Sequence, residues 1–260
     1  MPGNSGGGGP GHTPDSPFEI DLRKRRSVWA ILTATLSLYR HYPLLFLLLA
    51  LVVVAPFDLA LFVITGYGPL ARLAHHSQEA YWLELLLRTT LVGPLVSALH
   101  VYAVKTAGEG RRPRLAPVAA QGMAVLPSVS ATALLTGLAE AVGFLALVVP
   151  GILLFARWAV ASQAAALHGG GPLAAIRSSN RLTSGRRRLV LGLSLILALL
   201  LIAVDEAARR LPLGSTSAAP SVVAGIAVQT FAASVGALTL ALLYFTLNAP
   251  EHHRRKPRPL

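Results

Sequence analysis

The 260-residue chain is 53% hydrophobic and only 13% charged, with a formal net charge of +12. A soluble globular domain is nearer one quarter charged, so too few charges remain to cover a water-facing surface. The chain has no cysteine, which excludes disulfides, thiolate metal sites and cysteine nucleophiles. Basic residues fall in short clusters between apolar runs, so we expect anionic lipid headgroups as the partner and no nucleic acid.

The N-terminal region combines a polar tail with an amphipathic segment. Residues 1–22 are rich in glycine and proline and have little to bury, so we predict a disordered tail. Beyond the basic run at 23–26, apolar residues recur at helical spacing from Val28 to Tyr39, which predicts an amphipathic helix at the membrane surface. A signal peptide is the alternative, but Arg40 and His41 interrupt its apolar region and no clear cleavage site follows.

Six apolar stretches are long enough to cross a hydrocarbon core of about 30 Å, for which roughly 20 helical residues suffice. We predict spans at about 44–65, 83–104, 117–148, 151–167, 189–204 and 221–247. Pro150-Gly151 separates the third span from the fourth, because proline breaks a helix and glycine permits a turn; Gly93-Pro94 predicts a kink in the second. The fold class is therefore an all-α polytopic membrane bundle at 23–248, followed by a basic tail at 249–260.

Arginine and lysine are distributed unevenly between the connecting segments. They cluster in the N-terminal segment, the loops after the second and fourth spans, and the C-terminal tail. With six spans, all four clusters lie on the same side of the membrane, whereas five spans break this alternation. The excess of positive charge on one side predicts cytoplasmic N- and C-termini. Lysine is rare beside arginine and alanines are many, which favours a bacterial origin and therefore a bacterial inner membrane.

Charged residues inside the apolar runs are the candidates for polar function. A charge at mid-membrane costs roughly 2.5–3.5 kcal/mol on insertion scales and therefore usually finds a partner. If the third and fourth spans form a hairpin at 149–150, Glu140 and Arg157 differ in depth by about 3 Å at 1.5 Å per residue. We therefore predict an ion pair between Glu140 and Arg157, with a snorkelling arginine as the alternative. Asp58 is a second intramembrane acid, in a position that water is expected to reach.

The segment after the fourth span predicts a short interfacial helix at about 172–184, ending at Gly185. Leu173 and Ile176 lie on one side of it, and Arg177 and Arg181 lie on another. The arginines expected to contact lipid headgroups are Arg177, Arg181, Arg187 and Arg188.

Enzyme signatures do not occur in the sequence. It has neither a nucleophile elbow nor a phosphate-binding loop, and its adjacent histidine pairs lack a third metal ligand. We therefore predict no catalytic residue, no cofactor site and no metal site.

"PGILLFARW" and "GPLAAIRSSNRLTSGRRR" together resemble the bacterial family of glycerophosphoryl diester phosphodiesterase membrane domains, a group of multi-pass proteins. The matching positions are Pro150, Gly151, Arg157, Gly171, Ala175, either Ser178 or Ser179, Leu182, Gly185 and Arg186. The resemblance covers about residues 28–248 and implies a helical membrane domain. It implies no reaction, since the phosphodiesterase chemistry belongs to a separate soluble domain that this chain does not resemble.

The function that follows is a membrane module without enzymatic activity of its own, acting through lipid contacts or through a membrane-protein partner or homo-oligomer. The alternative is a small-molecule or ion transporter or channel with a polar site around Glu140 and Arg157.

Overall fold

The computed structural model describes residues 21–69, 77–210 and 219–250. These residues form helices joined by short turns, with no strand among them, which confirms the all-α fold class. The C-terminal basic cluster and most of the predicted disordered tail lie outside the described residues.

The helices follow one another with few intervening residues. Their bounds are α1 Val28–His41, α2 Pro43–Thr65, α3 Gln78–Leu87, a π-helical turn Arg88–Val92, α4 Gly93–Gly108, α5 Leu115–Ala146, α6 Val148–Trp158, α7 Ala161–His168, α8 Pro172–Thr183, α9 Arg187–Arg209 and α10 Ala219–Asn248.

Six helical segments are long and apolar enough to cross a membrane. They are Pro43–Thr65, Gln78–Gly108, Leu115–Ala146, Val148–His168, Arg187–Val204 and Ala219–Asn248. Each overlaps one predicted span, so the chain is a multi-pass membrane protein. The overlap arises because both length and hydropathy are local properties of the sequence.

The junction between the third and fourth spans differs from the predicted one. The chain leaves the helix at Leu147, whose φ of −165° is extended, and Pro150 and Gly151 lie inside α6. Pro150 is tolerated there because the first-turn amides of a helix have no acceptor within it. The fourth span is itself interrupted after Trp158, so that α6 and α7 are separate helices.

The predicted amphipathic helix is present as α1. The Ser27 hydroxyl caps its start by accepting from the Ala30 amide at 3.3 Å. Its buried face includes Thr35, whose hydroxyl lies 3.5 Å from that of Thr239 on α10. Helix α1 therefore packs on the bundle; its position at the membrane surface stays a prediction.

The basic segments converge on one end of the bundle, called the basic end below. One cavity there is lined by Arg23 of the N-terminal segment, Lys105 at the end of α4 and Asn248 at the end of α10. A second is lined by Arg25 and by Arg186 of the turn after α8. The described parts of the basic clusters therefore lie at the same end of the bundle. This agrees with the predicted spans, because two spans separate each cluster from the next.

Two glycines allow α5 and α6 to pack closely. A Cβ atom at Gly143 would lie 3.2 Å from the Gly151 Cα atom and 2.9 Å from a Leu154 methyl group. The turn at Leu147 can join the two helices tightly because neither glycine carries a side chain.

Replacing Gly143 by valine should therefore separate α5 from α6. We expect Gly143→Val to lower the free energy of unfolding by about 1–3 kcal/mol, the usual cost of overpacking. Gly137→Val is the matched control, since it lies on the same helix and a Cβ there meets no atom within 4 Å. Denaturation in mixed micelles measures both variants, and equal stabilities would contradict the close packing.

Candidate functional site

A buried ion pair connects α2 with the start of the second span. Asp58 is fully buried, and its Oδ1 atom accepts from the Arg88 Nη2 group at 2.8 Å. The same Nη2 group donates to Glu84 Oε1 at 2.9 Å, and the Arg88 guanidinium lies 5.2 Å from the centre of the Phe57 ring. The prediction that water reaches Asp58 is therefore wrong, since an arginine from a neighbouring helix covers it.

Arg88 was missed by sequence reasoning, although it is a basic residue inside a predicted apolar span. Such a residue signals a partner by itself. The identity of the partner depends on how α2 and α3 are placed against each other, which the sequence does not state.

The helix is irregular where a kink was predicted. Residues Arg88–Val92 form a π-helical turn immediately before Gly93 and Pro94, and the Gly93 amide donates to the Arg88 carbonyl. Pro94 has no amide hydrogen to continue the regular pattern. Single π turns recur at functional sites, and this one contains Arg88.

Arg88 also lies at the wall of a cavity of about 550 Å³ between α4, α9 and α10. Its lining is mainly apolar, with Val96, Leu197 and Ala233 as examples, and Ser97 and Gln229 add polar groups. Ligand sites in helical bundles have this size and composition, with few polar groups in an apolar wall. The cavity with Arg88 is the candidate functional site.

Next to the cavity, a chain of polar contacts joins three helices. His100 is fully buried, its Nδ1 atom lying 2.8 Å from the Val96 carbonyl and its Nε2 atom 3.0 Å from the Ser234 hydroxyl. That hydroxyl also lies 3.1 Å from the Phe46 carbonyl, to which it donates. The contacts tie α4, α10 and α2 together.

A serine beside a histidine can act as a nucleophile with its base. Here Ser234 and His100 are both fully buried, and the hydroxyl that would attack is directed to a backbone carbonyl. The arrangement therefore stabilises helix packing and leaves no place for a substrate at the hydroxyl.

The predicted ion pair between Glu140 and Arg157 does not form. In the part of the chain that the structure describes, neither an ion pair nor a hydrogen bond joins the two side chains. The physical reason is rotation about the axis of α6. Gly151 faces α5. Arg157 follows six residues later, which at 3.6 residues per turn is one full turn plus about 240°, so its side chain does not point toward α5. The Arg157 Nε atom is buried without a hydrogen-bond partner.

The backbone carbonyl of Arg157, rather than its side chain, makes the contact that connects the end of α6 with α8. Its carbonyl accepts from the Ser179 hydroxyl at 2.9 Å and the Thr183 hydroxyl at 3.1 Å. The α-helical pattern stops after Trp158, so this carbonyl belongs to the last turn of α6, where acceptors need partners from elsewhere. The hydroxyls of α8 supply them.

Helix α8 agrees with the predicted bounds. Its buried stripe consists of Ala175, Ser179 and Thr183, whereas Leu173 is 62% exposed. Gly185 follows with a φ of +79°, a conformation that favours glycine, and the chain turns there into α9.

The remaining motif residues lie around this turn. Leu182 is half-buried, and the Arg186 amide donates to the Thr183 carbonyl at 3.0 Å. The arginines predicted to contact headgroups are exposed at Arg177, Arg181 and Arg188 and half-buried at Arg187. Their contact with headgroups stays a prediction.

No family model, curated protein or solved structure matches this chain. The resemblance to the phosphodiesterase membrane-domain family therefore stays a prediction.

Breaking the Asp58–Arg88 pair should destabilise the protein, because it takes one of two carboxylate partners from a guanidinium that is largely buried. We expect Asp58→Asn to cost about 3 kcal/mol, the lower end for a buried pair, since Arg88 keeps Glu84 and a quarter of its side chain is exposed. The triple variant Asp58→Leu/Glu84→Gln/Arg88→Met should be more stable than Asp58→Asn, because it removes all three charges of the cluster and retains the apolar volume.

The exposed pair of Glu109 and Arg111 provides the control for that experiment. Glu109→Gln should cost no more than about 1 kcal/mol. Denaturation in mixed micelles measures all three variants; an Asp58→Asn cost as small as that of Glu109→Gln would show that the buried pair does not stabilise the fold.

Proposed function

We propose that the protein is a membrane module without enzymatic activity of its own, which binds a lipid-like amphiphile in the cavity beside Arg88. The observation that carries this proposal is the composition of the cavity wall. Its apolar lining suits hydrocarbon, and a single guanidinium suits the polar part of the same molecule.

The hydrogen-bonding state of Arg88 narrows the choice of ligand. Both carboxylate contacts use the Nη2 group, and within the described residues Nη1 and Nε make no hydrogen bond. These donors suit oxygen acceptors such as the ester carbonyls or hydroxyls of a glycerolipid. Since the Asp58 and Glu84 carboxylates already balance the positive charge of Arg88, they would repel an anion, whereas a neutral acceptor is not repelled.

The non-enzymatic part of the proposal is supported by the buried state of Ser234 and His100, the serine–histidine contact described above. Transport around Glu140 and Arg157 has no supporting contact in the described structure. The cavity near Arg88 is therefore the better basis for a function.

We further propose that the protein lies in a bacterial inner membrane with both termini in the cytoplasm. The grouping of Arg23, Lys105 and Arg186 at the basic end supports this orientation, because short cytoplasmic loops are enriched in arginine and lysine.

Filling the cavity tests the proposed ligand site. Gly236 lines the cavity, and a Cβ atom there meets nothing within 4 Å, so Gly236→Leu should occupy the space without disturbing the backbone. Gly137→Leu is the matched control, since Gly137 is exposed on α5 and its Cβ position is equally open.

The probe is diacylglycerol, a neutral glycerolipid with ester carbonyls and a hydroxyl, which carries a photoreactive group in one acyl chain and is supplied in nanodiscs. Cross-links are mapped by mass spectrometry and normalised to the peptide of Leu145, which is 86% exposed. We expect Gly236→Leu to reduce labelling of α4 and α9 about fivefold or more, equivalent to roughly 1 kcal/mol, and Gly137→Leu to leave it unchanged. Unchanged labelling in both variants would overturn the proposal.

A further inference from the structure

A second cavity lies at the basic end, in the connection between the second and third spans. Only residues 109–114 separate the end of α4 from the start of α5. Because both neighbouring segments are candidate spans, this short connection stays close to the membrane surface. It therefore lies where lipid headgroups are.

Three arginines of the connection line the cavity, whose volume is about 610 Å³. They are Arg111, Arg112 and Arg114, and Thr106 and Gln121 add polar groups. Several guanidinium groups around one space are typical of sites for phosphate, which accepts paired hydrogen bonds from each arginine.

The charges of these arginines are only partly neutralised within the protein. Arg111 pairs with Glu109. Arg112 and Arg114 form no ion pair or hydrogen bond through their side chains in the described ranges, and both are exposed. Two positive charges at the cavity therefore remain available for an external anion.

The start of α5 adds to the positive potential of this cavity. Arg114 is its extended N-cap residue, and no side chain caps the helix. Pro117 and Val118 of the first turn line the same cavity. Pro117 has no amide hydrogen and the Val118 amide donates to the Arg114 carbonyl at 3.3 Å, so the amides without a helical acceptor are those of Leu115 and Ala116. The positive end of the dipole of this 32-residue helix therefore adds to the attraction for an anion.

We propose that this cavity binds the phosphate group of an anionic membrane lipid, held chiefly by Arg112 and Arg114. The site is separate from the cavity beside Arg88 and needs only that the six helices cross a membrane. It differs from the exposed arginines Arg177 and Arg188, which do not line this cavity.

Lipid titration of the purified full chain in detergent, followed by native mass spectrometry, tests the site. The probes are short-chain phosphatidylglycerol, phosphatidylcholine of the same chain length, and inorganic phosphate. Arg112→Gln/Arg114→Gln removes two cavity charges, and Lys24→Gln/Arg40→Gln removes two exposed charges outside the cavity.

We expect phosphatidylglycerol to bind the unmodified chain more tightly than phosphatidylcholine does. The cavity variant should lose about tenfold or more in affinity, the effect of losing one or more charge-assisted hydrogen bonds. The control variant should change by less than about twofold, the scale of screened exposed charges. If the cavity variant does not fold, Arg112→Lys/Arg114→Lys retains the charge and should still weaken binding, because lysine lacks the paired donors of arginine.

Two results would overturn the proposal. Equal weakening in the cavity and control variants would mean that phosphatidylglycerol is attracted by diffuse positive charge. Competition by inorganic phosphate at the same concentration as the lipid would assign the cavity to a free anion.

Discussion

Polar groups inside a membrane lose their hydration, so leaving one without a partner is costly, and the need for partners within the protein organises the bundle. The Arg157 carbonyl shows its effect most directly. Where α6 ends, hydroxyls of Ser179 and Thr183 replace the missing helical donors and thereby fix α8 against α6. His100 and Ser234 tie α2, α4 and α10 in the same way.

The contacts that satisfy this constraint also leave room for a ligand. The Asp58–Arg88 pair holds the π-helical turn beside the cavity, and the Nη1 and Nε groups of Arg88 remain without hydrogen bonds in the described structure. A similar contact lies at the cavity wall, where the Ser97 hydroxyl accepts from the Gln163 side-chain amide at 2.8 Å. The cavity wall is thus held by polar contacts, while its interior is largely apolar.

Much of the architecture was predictable because hydropathy, helix length and glycine positions are properties of short segments. The six spans and the end of α8 before Gly185 follow from such signals. The Asp58–Arg88 contact could not be predicted, since it depends on the rotation and separation of two helices. The expected Glu140–Arg157 pair failed for the same reason: spacing along the chain gave similar depths but not the direction in which each side chain points.

Thiol labelling in intact cells tests most directly whether the cavity is closed to water, as an apolar lipid site requires, and whether the basic end is cytoplasmic. The chain has no cysteine, so single substitutions meet a clean background. A charged, membrane-impermeant maleimide should label Tyr67→Cys from outside and Ser184→Cys only after permeabilisation. It should not label Ala233→Cys, at the cavity wall, until the protein is denatured. Labelling of Ala233→Cys in the folded protein would reveal a water-filled path, and labelling of Ser184→Cys from outside would reverse the orientation.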